Sequence, residues 1–394
     1  MKKIFTFNVG SSSCKFQIFS SELEELGKGL IDRIGIEGTT FEYESNNGDE
    51  IEIKQNLKFE NLVDYLIKVT EENNIINWND VYLMSHRVVN GGNVFPQNLL
   101  IEDSSTIDKL ESLNNLAPLH NPFNNAVLRA MYEKFPNAKQ VVVFDTAFHS
   151  TIPEINYRYA IPEEFYKDHL IRKYGAHGSS HAYITETMEE YLGRPVNIIN
   201  LHLGNGASIC VTKDSKSLNT SMGFTPLDGL IMGTRSGIID PSAVLYMVNS
   251  LGIDPKEVDR ILIKESGLKA LSKLSSDMRD IEDAASKGNK DAQFALDAFV
   301  KRVVDIVSMY LSEIDNLDAI TFTGGIGENY RDLPSIVFSQ LRALKGVKLI
   351  DQKDYSKKEK VNKISTEDSS TGVYIVPTNE ELFMAKEGKR LISE

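Results

Sequence analysis

The chain is poor in cysteine, in basic charge and in long apolar runs, and each shortage excludes a class of protein. Its 394 residues include 2 cysteines, Cys14 and Cys210, which are too few for a disulfide framework. Lys and Arg number 43 against 56 Asp and Glu, and a net charge of −13 argues against nonspecific binding to nucleic acid or anionic membrane. No apolar run approaches a membrane span, and the N-terminus lacks the apolar core of a signal peptide. We therefore expect a soluble, cytoplasmic protein with no nucleic-acid or membrane partner.

What is present is an alternation of strand-like and helix-like segments. Apolar residues recur with helical spacing in residues 59–69 and 299–310, whereas residues 141–144 and 319–322 form short β-rich runs. Strands that alternate with helices predict an α/β fold built in layers. The length allows two domains.

A weak internal repeat supports a division into two halves. Residues 4–19 and residues 198–212 both read as strand, glycine-containing turn and strand, and they begin about 195 residues apart. Half the chain length is the separation that a duplicated protein would show. Chance is the alternative, because hairpins with glycine are common. If the repeat is real, the cleft between the halves is the default ligand site.

Two segments in the first half have the chemistry of an anion site. Residues 8–15, NVGSSSCK, combine a glycine, three hydroxyls and Lys15, although the spacing is not that of a Walker A loop. Arg87 ends a strand beside two glycines, which suits bidentate binding of a carboxylate or phosphate. The alternatives without a function are that Lys15 is a solvated surface lysine and that Arg87 forms a surface ion pair. Asp145 also follows a strand, where it is either a functional carboxylate or a cap.

The second half contains the densest polar loops. His177 lies between glycines, at either a ligand site or a helix start, and Arg235 lies in a long loop rich in Gly, Thr and Ser. Such loops are usually functional, and an arginine there could neutralise a transferring phosphoryl group. Residues 323–329, TGGIGEN, follow a strand and could approach a nucleotide. Glu380 opens a helix, either as a complement to the helix dipole or as a magnesium ligand.

The order of these blocks resembles that of the acetate kinase (acetokinase) family. The matching blocks, in chain order, are NVGSSSCKF, SHRVVNGG, LAPLHNP, VFDTAFH, YGAHGSSH, HLGNGAS, TSMGFTPLDGL, GTRSGIIDP, SSDMRD, TGGIGEN and PTNEE. The resemblance implies the acetate and sugar kinase/Hsp70/actin fold, with two duplicated ribonuclease-H-like domains and an interdomain cleft. The expected domains are residues 1–149 with 382–394, and residues 150–381. The implied reaction is acetate + ATP ⇌ acetyl phosphate + ADP, catalysed by a homodimer.

The resemblance also implies catalytic and substrate roles by position. The catalytic residues are Asp145, His177 and Arg235. Arg87 holds the acetate carboxylate, and the methyl group is contacted by Val89, Leu119 and Pro226. Because the carboxylate is already a nucleophile at neutral pH, we expect Asp145 to orient an arginine or a magnesium-bound water, and we expect direct in-line transfer.

The remaining implied positions bind the nucleotide and the metal. The nucleotide-binding residues are Lys15, His202, Leu203, Gly204, Asn205, Gly206, Asp277, Met278, Arg279, Gly325, Ile326, Gly327, Glu328 and Asn329. The ligands of Mg²⁺, for which Mn²⁺ is a substitute, are Asn8 and Glu380, with Glu381 as the alternative to Glu380.

Four positions depart from the family pattern. Asn90 stands in place of a histidine, Asn219 and Ile238 each in place of an aspartate, and Ala176 in place of an aromatic residue. We expect Ala176 to widen the acyl pocket, and Ile238 to weaken turnover through the position of Arg235. The alternatives are a propionate or butyrate kinase, a pyrophosphate-linked relative and an inactive nucleotide-binding relative.

Overall fold

The chain forms two compact units. The structure, a computed structural model, describes residues 2–352, 355 and 359–393. The first unit comprises Met1–Ala147 and Asn379–Glu394, and the second comprises Phe148–Thr378. The divisions lie two residues before the expected boundary at 149 and three residues before the one at 381. Glu380 therefore belongs to the first unit.

Strands and helices alternate along both units. The strands are β1 (Lys3–Val9), β2 (Ser13–Ser20), β3 (Glu25–Asp32), β4 (Thr40–Ser45), β5 (Glu50–Lys54), β6 (Val81–Val88), β7 (Leu99–Leu100), β8 (Lys139–Phe144), β9 (Ile198–Leu203), β10 (Ala207–Lys213), β11 (Lys216–Thr220), β12 (Ala319–Thr323), β13 (Asn362–Lys363) and β14 (Gly372–Ile375). The helices are α1 (Leu62–Glu72), α2 (Ser104–Ser112), α3 (Asn121–Lys134), α4 (Glu154–Tyr157), α5 (Glu163–Lys167), α6 (Gly178–Leu192), α7 (Pro241–Asn249), α8 (Pro255–Arg260), α9 (Gly267–Ser272), α10 (Met278–Ser286), α11 (Lys290–Leu311), α12 (Gly324–Asn329), α13 (Leu333–Gln340) and α14 (Glu380–Ser393).

The two sheets share one topology. The first sheet has the order β5-β4-β3-β2-β1-β6-β8-β7 and the second has the order β11-β10-β9-β12-β14-β13. Each sheet contains three antiparallel strands, β3-β2-β1 in the first and β11-β10-β9 in the second. Beside β1 lie β6 and β8, and beside β9 lie β12 and β14; these two added strands run parallel to β1 and β9, respectively. This duplicated ribonuclease-H-like order confirms the predicted fold class. The predicted repeat is confirmed as well, because its copies are the equivalent hairpins β1–β2 and β9–β10.

Side-chain alternation gives the first sheet an apolar face and a polar face. Phe5 and Phe7 of β1 are buried in the core that α1 and α3 cover. Thr6 lies on the opposite face, in register with Ser85 of β6. Helix α14 packs on this second face, where a Cβ at Gly388 would lie 2.4 Å from Ser85 Oγ. Because residues i and i+2 of a strand share a face, Asn8 and Arg87 also lie on the polar side.

The second sheet repeats this division. Ile199, Leu201 and Leu203 of β9 enter the hydrophobic core that includes α11. Asn200 and His202 alternate with them and lie on the opposite face, where α6 packs. The polar residues of this face are therefore buried and must find hydrogen-bond partners.

Within the described ranges, no helix is long and apolar enough to cross a membrane.

Candidate functional site

Arg87 lies at the centre of a charged cluster in the first unit. Its Nη2 donates to Asp145 Oδ2 at 2.7 Å, and its Nη1 donates to Asn8 Oδ1 at 3.1 Å. The three residues meet because β1, β6 and β8 are neighbouring parallel strands whose carboxyl ends share one sheet edge. Burial favours a lower pKa for Arg87, but the charge of Asp145 and its hydrogen bond outweigh it and raise the pKa. The guanidinium therefore stays charged.

Glu380 adds a second carboxylate to this cluster. Burial, reinforced by the charge of Asp145, raises the pKa of Glu380 to about 7, although Arg87 opposes the rise. Asn379 caps the helix that begins here, since its Oδ1 accepts from Leu382 N at 2.9 Å. The predicted helix start near residue 380 is confirmed.

The donor atoms of the first unit fit a hard divalent cation. Mg²⁺ is usually bound by one or two carboxylates together with substrate phosphates, rather than by a complete protein cage. Asn8 and Glu380 provide an amide oxygen and a carboxylate of this type. The described residues contain no group of three or more His, Cys, Asp or Glu that could hold a metal ion. The high pKa of Glu380 also indicates a carboxylate that a further positive charge would stabilise.

The residues predicted to contact a methyl group differ in exposure. Val89 is 4% exposed and Leu119 is 46% exposed, whereas Pro226 in the second unit is partly buried. Ala176 is 2% exposed and packs in the core of the second unit, so the structure gives no support to the expectation that it widens a pocket. Asn90 is buried, and its Oδ1 accepts from Gly92 N at 2.8 Å, which stabilises the turn after β6.

In the second unit, His177 and Arg235 meet beside Gly206. A Cβ added to Gly206 would lie 3.3 Å from His177 Nε2 and 3.5 Å from Arg235 Nη1. His177 has a φ of 56°, a left-handed conformation that is strained for a side chain of this kind and that concentrates at functional sites. The imidazole also packs against His202, with 4.3 Å between the ring centroids.

The loop around Arg235 is held by close backbone packing. Arg235 Nη1 donates to Pro226 O at 3.2 Å. Gly267 has a φ of +65°, and a Cβ there would lie 2.1 Å from Met232 O and 2.7 Å from Arg235 O. Only glycine fits such a position, so Gly267 allows the close backbone packing that holds the Arg235 main chain in place. Sequence reasoning missed this residue.

Three distant segments surround a cavity of about 610 Å³ in the second unit. Its lining residues are Gly204, Asn205, Ser276, Asp277, Met278, Arg279, Glu282, Gly325, Ile326, Asn329 and Tyr330. The volume is in the range of small-molecule sites, roughly 300–1,000 Å³. Eight of the fourteen residues predicted to bind a nucleotide therefore line one cavity.

The other predicted nucleotide residues lie elsewhere. Lys15 is exposed on β2 of the first unit, opposite Asn8 in the strand register. Leu203 is in the hydrophobic core, and His202 packs against His177. The Glu328 carboxylate accepts from Gly324 N at 2.9 Å and so closes the turn after β12. The last two predicted positions are outside the cavity lining as well: Gly206 and Gly327.

Sequence reasoning missed Ser276, Glu282 and Tyr330 in the cavity lining. Glu282 lies one helical turn after Met278 on α10, so helical spacing could have identified it. Burial raises the pKa of Glu282, and the charges of Asp332 and Asp277 add to this.

Asn219 and Ile238, which depart from the family pattern, lie in different settings. The Oδ1 of Asn219 accepts from Lys173 Nζ at 2.8 Å, and its Nδ2 donates to Glu313 Oε1 at 2.8 Å. An amide can bridge a cation and a carboxylate in this way, whereas an aspartate would repel Glu313. Ile238 is 53% exposed, and the expectation that it weakens turnover stays a prediction.

Comparisons with known proteins agree along nearly the whole chain. The model of the acetokinase family matches residues 3–386. The acetate kinase of Natranaerobius thermophilus is 42% identical, with 100% of both chains covered. A propionate kinase structure from Francisella tularensis has a TM-score of 0.92 and 38% identity, covering 99% of this chain and 100% of its own. The acetate kinase structure from Porphyromonas gingivalis has a TM-score of 0.91 and 33% identity, covering 100% of both.

Proposed function

This chain belongs to the acetokinase family, and we propose that it transfers the γ-phosphoryl group of ATP reversibly to the carboxylate of acetate, giving acetyl phosphate and ADP. One observation supports this most directly. Three separate segments of the second unit, each predicted to bind a nucleotide, line a single cavity of about 610 Å³. A kinase needs such a site for ATP; an inactive nucleotide-binding relative would keep it too, and the turnover assay below separates the two.

The first unit would bind the acid. Arg87 is charged and partly buried, and its guanidinium donates to Asp145 and Asn8. These two hydrogen bonds fix the orientation of the guanidinium plane. A carboxylate is the anion that matches this geometry, because guanidinium and carboxylate pair through parallel hydrogen bonds. Asp145 acts here by orienting Arg87, one of the two roles expected for it. Val89, Leu119 and Pro226 would contact the methyl group.

The second unit would bind the nucleotide and the transferring group. Phosphoryl transfer depends mainly on positioning and on charge neutralisation. Arg235 Nη1 and His177 Nε2 lie at one point beside Gly206, where they would donate to the oxygens of the transferring phosphoryl group. Asn8 and Glu380 would hold Mg²⁺, whose charge offsets that of the phosphate oxygens when it is bound. We propose direct in-line transfer, for which a chiral phosphate should be inverted; retention would contradict it.

The test is a steady-state assay with ATP, Mg²⁺ and acetate, propionate or butyrate. We expect the highest kcat/KM with acetate. The propionate kinase neighbour makes propionate the second candidate, because one methylene is worth only about 1–3 kcal/mol of discrimination. In the reverse direction, acetyl phosphate should be consumed with ADP as acceptor. Consumption with orthophosphate but not with ADP would indicate the pyrophosphate-linked alternative, and absence of turnover would refute the proposal.

We also propose that the protein is a homodimer, as the family resemblance implies. Helix α7 has no buried residue, and Leu245 and Tyr246 on it are 58% and 59% exposed. Ile238 and Leu251 nearby in sequence are 53% and 59% exposed, and exposed apolar patches of this kind often mark protein interfaces. Leu245→Glu should convert dimer to monomer in light scattering. Ile155→Glu, at a residue that is 87% exposed, is the control and should leave the dimer intact.

A further inference from the structure

A chain of buried hydrogen bonds leads from the second sheet to His177. Thr321 Oγ1 donates to Asn200 Oδ1 at 2.7 Å, and Asn200 Nδ2 meets His181 Nδ1 at 2.8 Å. His181 Nε2 then meets Ser208 Oγ at 2.8 Å, and Ser208 Oγ meets His177 Nδ1 at 2.9 Å. The four groups behind His177 are fully buried. Their protons are therefore arranged by the protein rather than by solvent.

The assigned orientation of the Asn200 amide sets the direction of these hydrogen bonds. The Thr321 hydroxyl donates to the amide oxygen, so the amide nitrogen of Asn200 faces His181. An amide NH₂ only donates, so His181 Nδ1 accepts and the neutral ring has its proton on Nε2. That proton is donated to Ser208 Oγ. The two imidazoles are the only hydrogen-bond partners of Ser208 Oγ within the described ranges, so its own proton is donated to His177 Nδ1.

We propose that Asn200, His181 and Ser208 are positioning residues that hold His177 as the neutral tautomer with its proton on Nε2. Nε2 is the atom that lies with Arg235 beside Gly206. This inference rests on the proposed function: only the Nε2–H tautomer donates a hydrogen bond to a phosphoryl oxygen at this point. The other tautomer directs a lone pair at the anion, which is repulsive.

The direct test is ¹⁵N NMR of the full-length protein labelled at histidine, with His177→Asn used to assign the signals. We expect the Nδ1 signal of His177 to be that of an unprotonated nitrogen and the Nε2 signal that of a protonated one. A proton on Nδ1, or two tautomers in similar amounts, would overturn the inference. The measurement requires no turnover, so an inactive protein with the expected tautomer would refute the proposed function alone.

A kinetic test separates positioning from simple structural loss. Ser208→Ala should lower kcat by about 10- to 100-fold, the loss typical when the partner that orients a histidine ligand is removed, with the KM values for ATP and acetate nearly unchanged. Ser208→Thr keeps the hydroxyl and should restore kcat. Ser217→Ala is the matched control, because Ser217 Oγ is bonded to His149 Nδ1 at the same 2.9 Å. Full kcat in Ser208→Ala, or an equal loss in Ser217→Ala, would contradict the inference.

Discussion

Replacing Asp145 by asparagine should destabilise the first unit as well as abolish most activity. The Asp145 side chain is 1% exposed and the Arg87 side chain is 18% exposed, so the variant leaves a positive charge largely desolvated without its anionic partner. Breaking a buried pair in this way costs about 3–5 kcal/mol. Two features of the site favour the lower end. Asn8 still accepts from Arg87, and the nearby Glu380 no longer faces the charge of Asp145. We therefore expect a loss of about 3 kcal/mol in the free energy of unfolding.

Urea unfolding followed by tryptophan fluorescence reports on the first unit, where this loss of stability is expected. The sequence has 1 tryptophan, Trp78, which is buried in the core of the first unit. The control is the double variant Arg87→Met with Asp145→Asn, which removes both charges. It should be more stable than the sum of the single variants predicts, with a coupling of about 1–3 kcal/mol. Strict additivity, or a single variant as stable as the parent chain, would refute the reasoning about this pair.

Three further predictions concern pH, packing and catalysis. Burial lowers the pKa of His86 to about 4, so between its ordinary pKa near 6.5 and pH 4 the unfolded chain binds a proton that the folded chain does not. The contribution of His86 to the free energy of unfolding should therefore fall by about 3 kcal/mol across this window on acidification, partly offset in the total by Glu380, whose raised pKa has the opposite effect. The measurement is the difference in urea midpoint between the parent chain and His86→Gln, which should shrink as the pH falls. Gly233→Ala places a Cβ 1.8 Å from Asn205 Oδ1 in the cavity lining, so KM for ATP should rise about tenfold while KM for acetate stays constant. Arg235→Ala should lower kcat by about 10²–10³ with little change in ADP affinity by calorimetry; an unchanged kcat would remove Arg235 from the mechanism.

Local sequence signals predicted the fold well for an identifiable reason. A glycine-containing turn between two apolar runs defines a hairpin by itself, so both copies of the repeat were recognisable before their sheets were known. Glycine-rich turns that follow strands also lie at the sheet edge where ligands bind, and Gly204 and Gly325 of two such turns line the cavity. Their role in nucleotide binding stays a prediction.

Contacts that depend on tertiary packing were not predictable in the same way. The alternative for Arg87 was an ion pair at the surface. Arg87 does form an ion pair, but its partner Asp145 is buried, because the two residues meet where two parallel strands end side by side. The link from His177 to His181 runs through Ser208 on a different element, and no spacing in the chain indicates it. Helical spacing places Glu282 on the same side of α10 as Met278, but that this side faces the cavity is known only from the packing.

Helix α14 ties completion of the first unit to residues that follow the second unit in the sequence. The polar face of the first sheet, formed by the opening 147 residues, is covered by a helix that begins at Glu380. During synthesis, that polar face therefore stays uncovered until the whole second unit has been made and the covering helix has left the ribosome. Domains usually mature from the N-terminus onward, but here the unit that starts first is the one that finishes last.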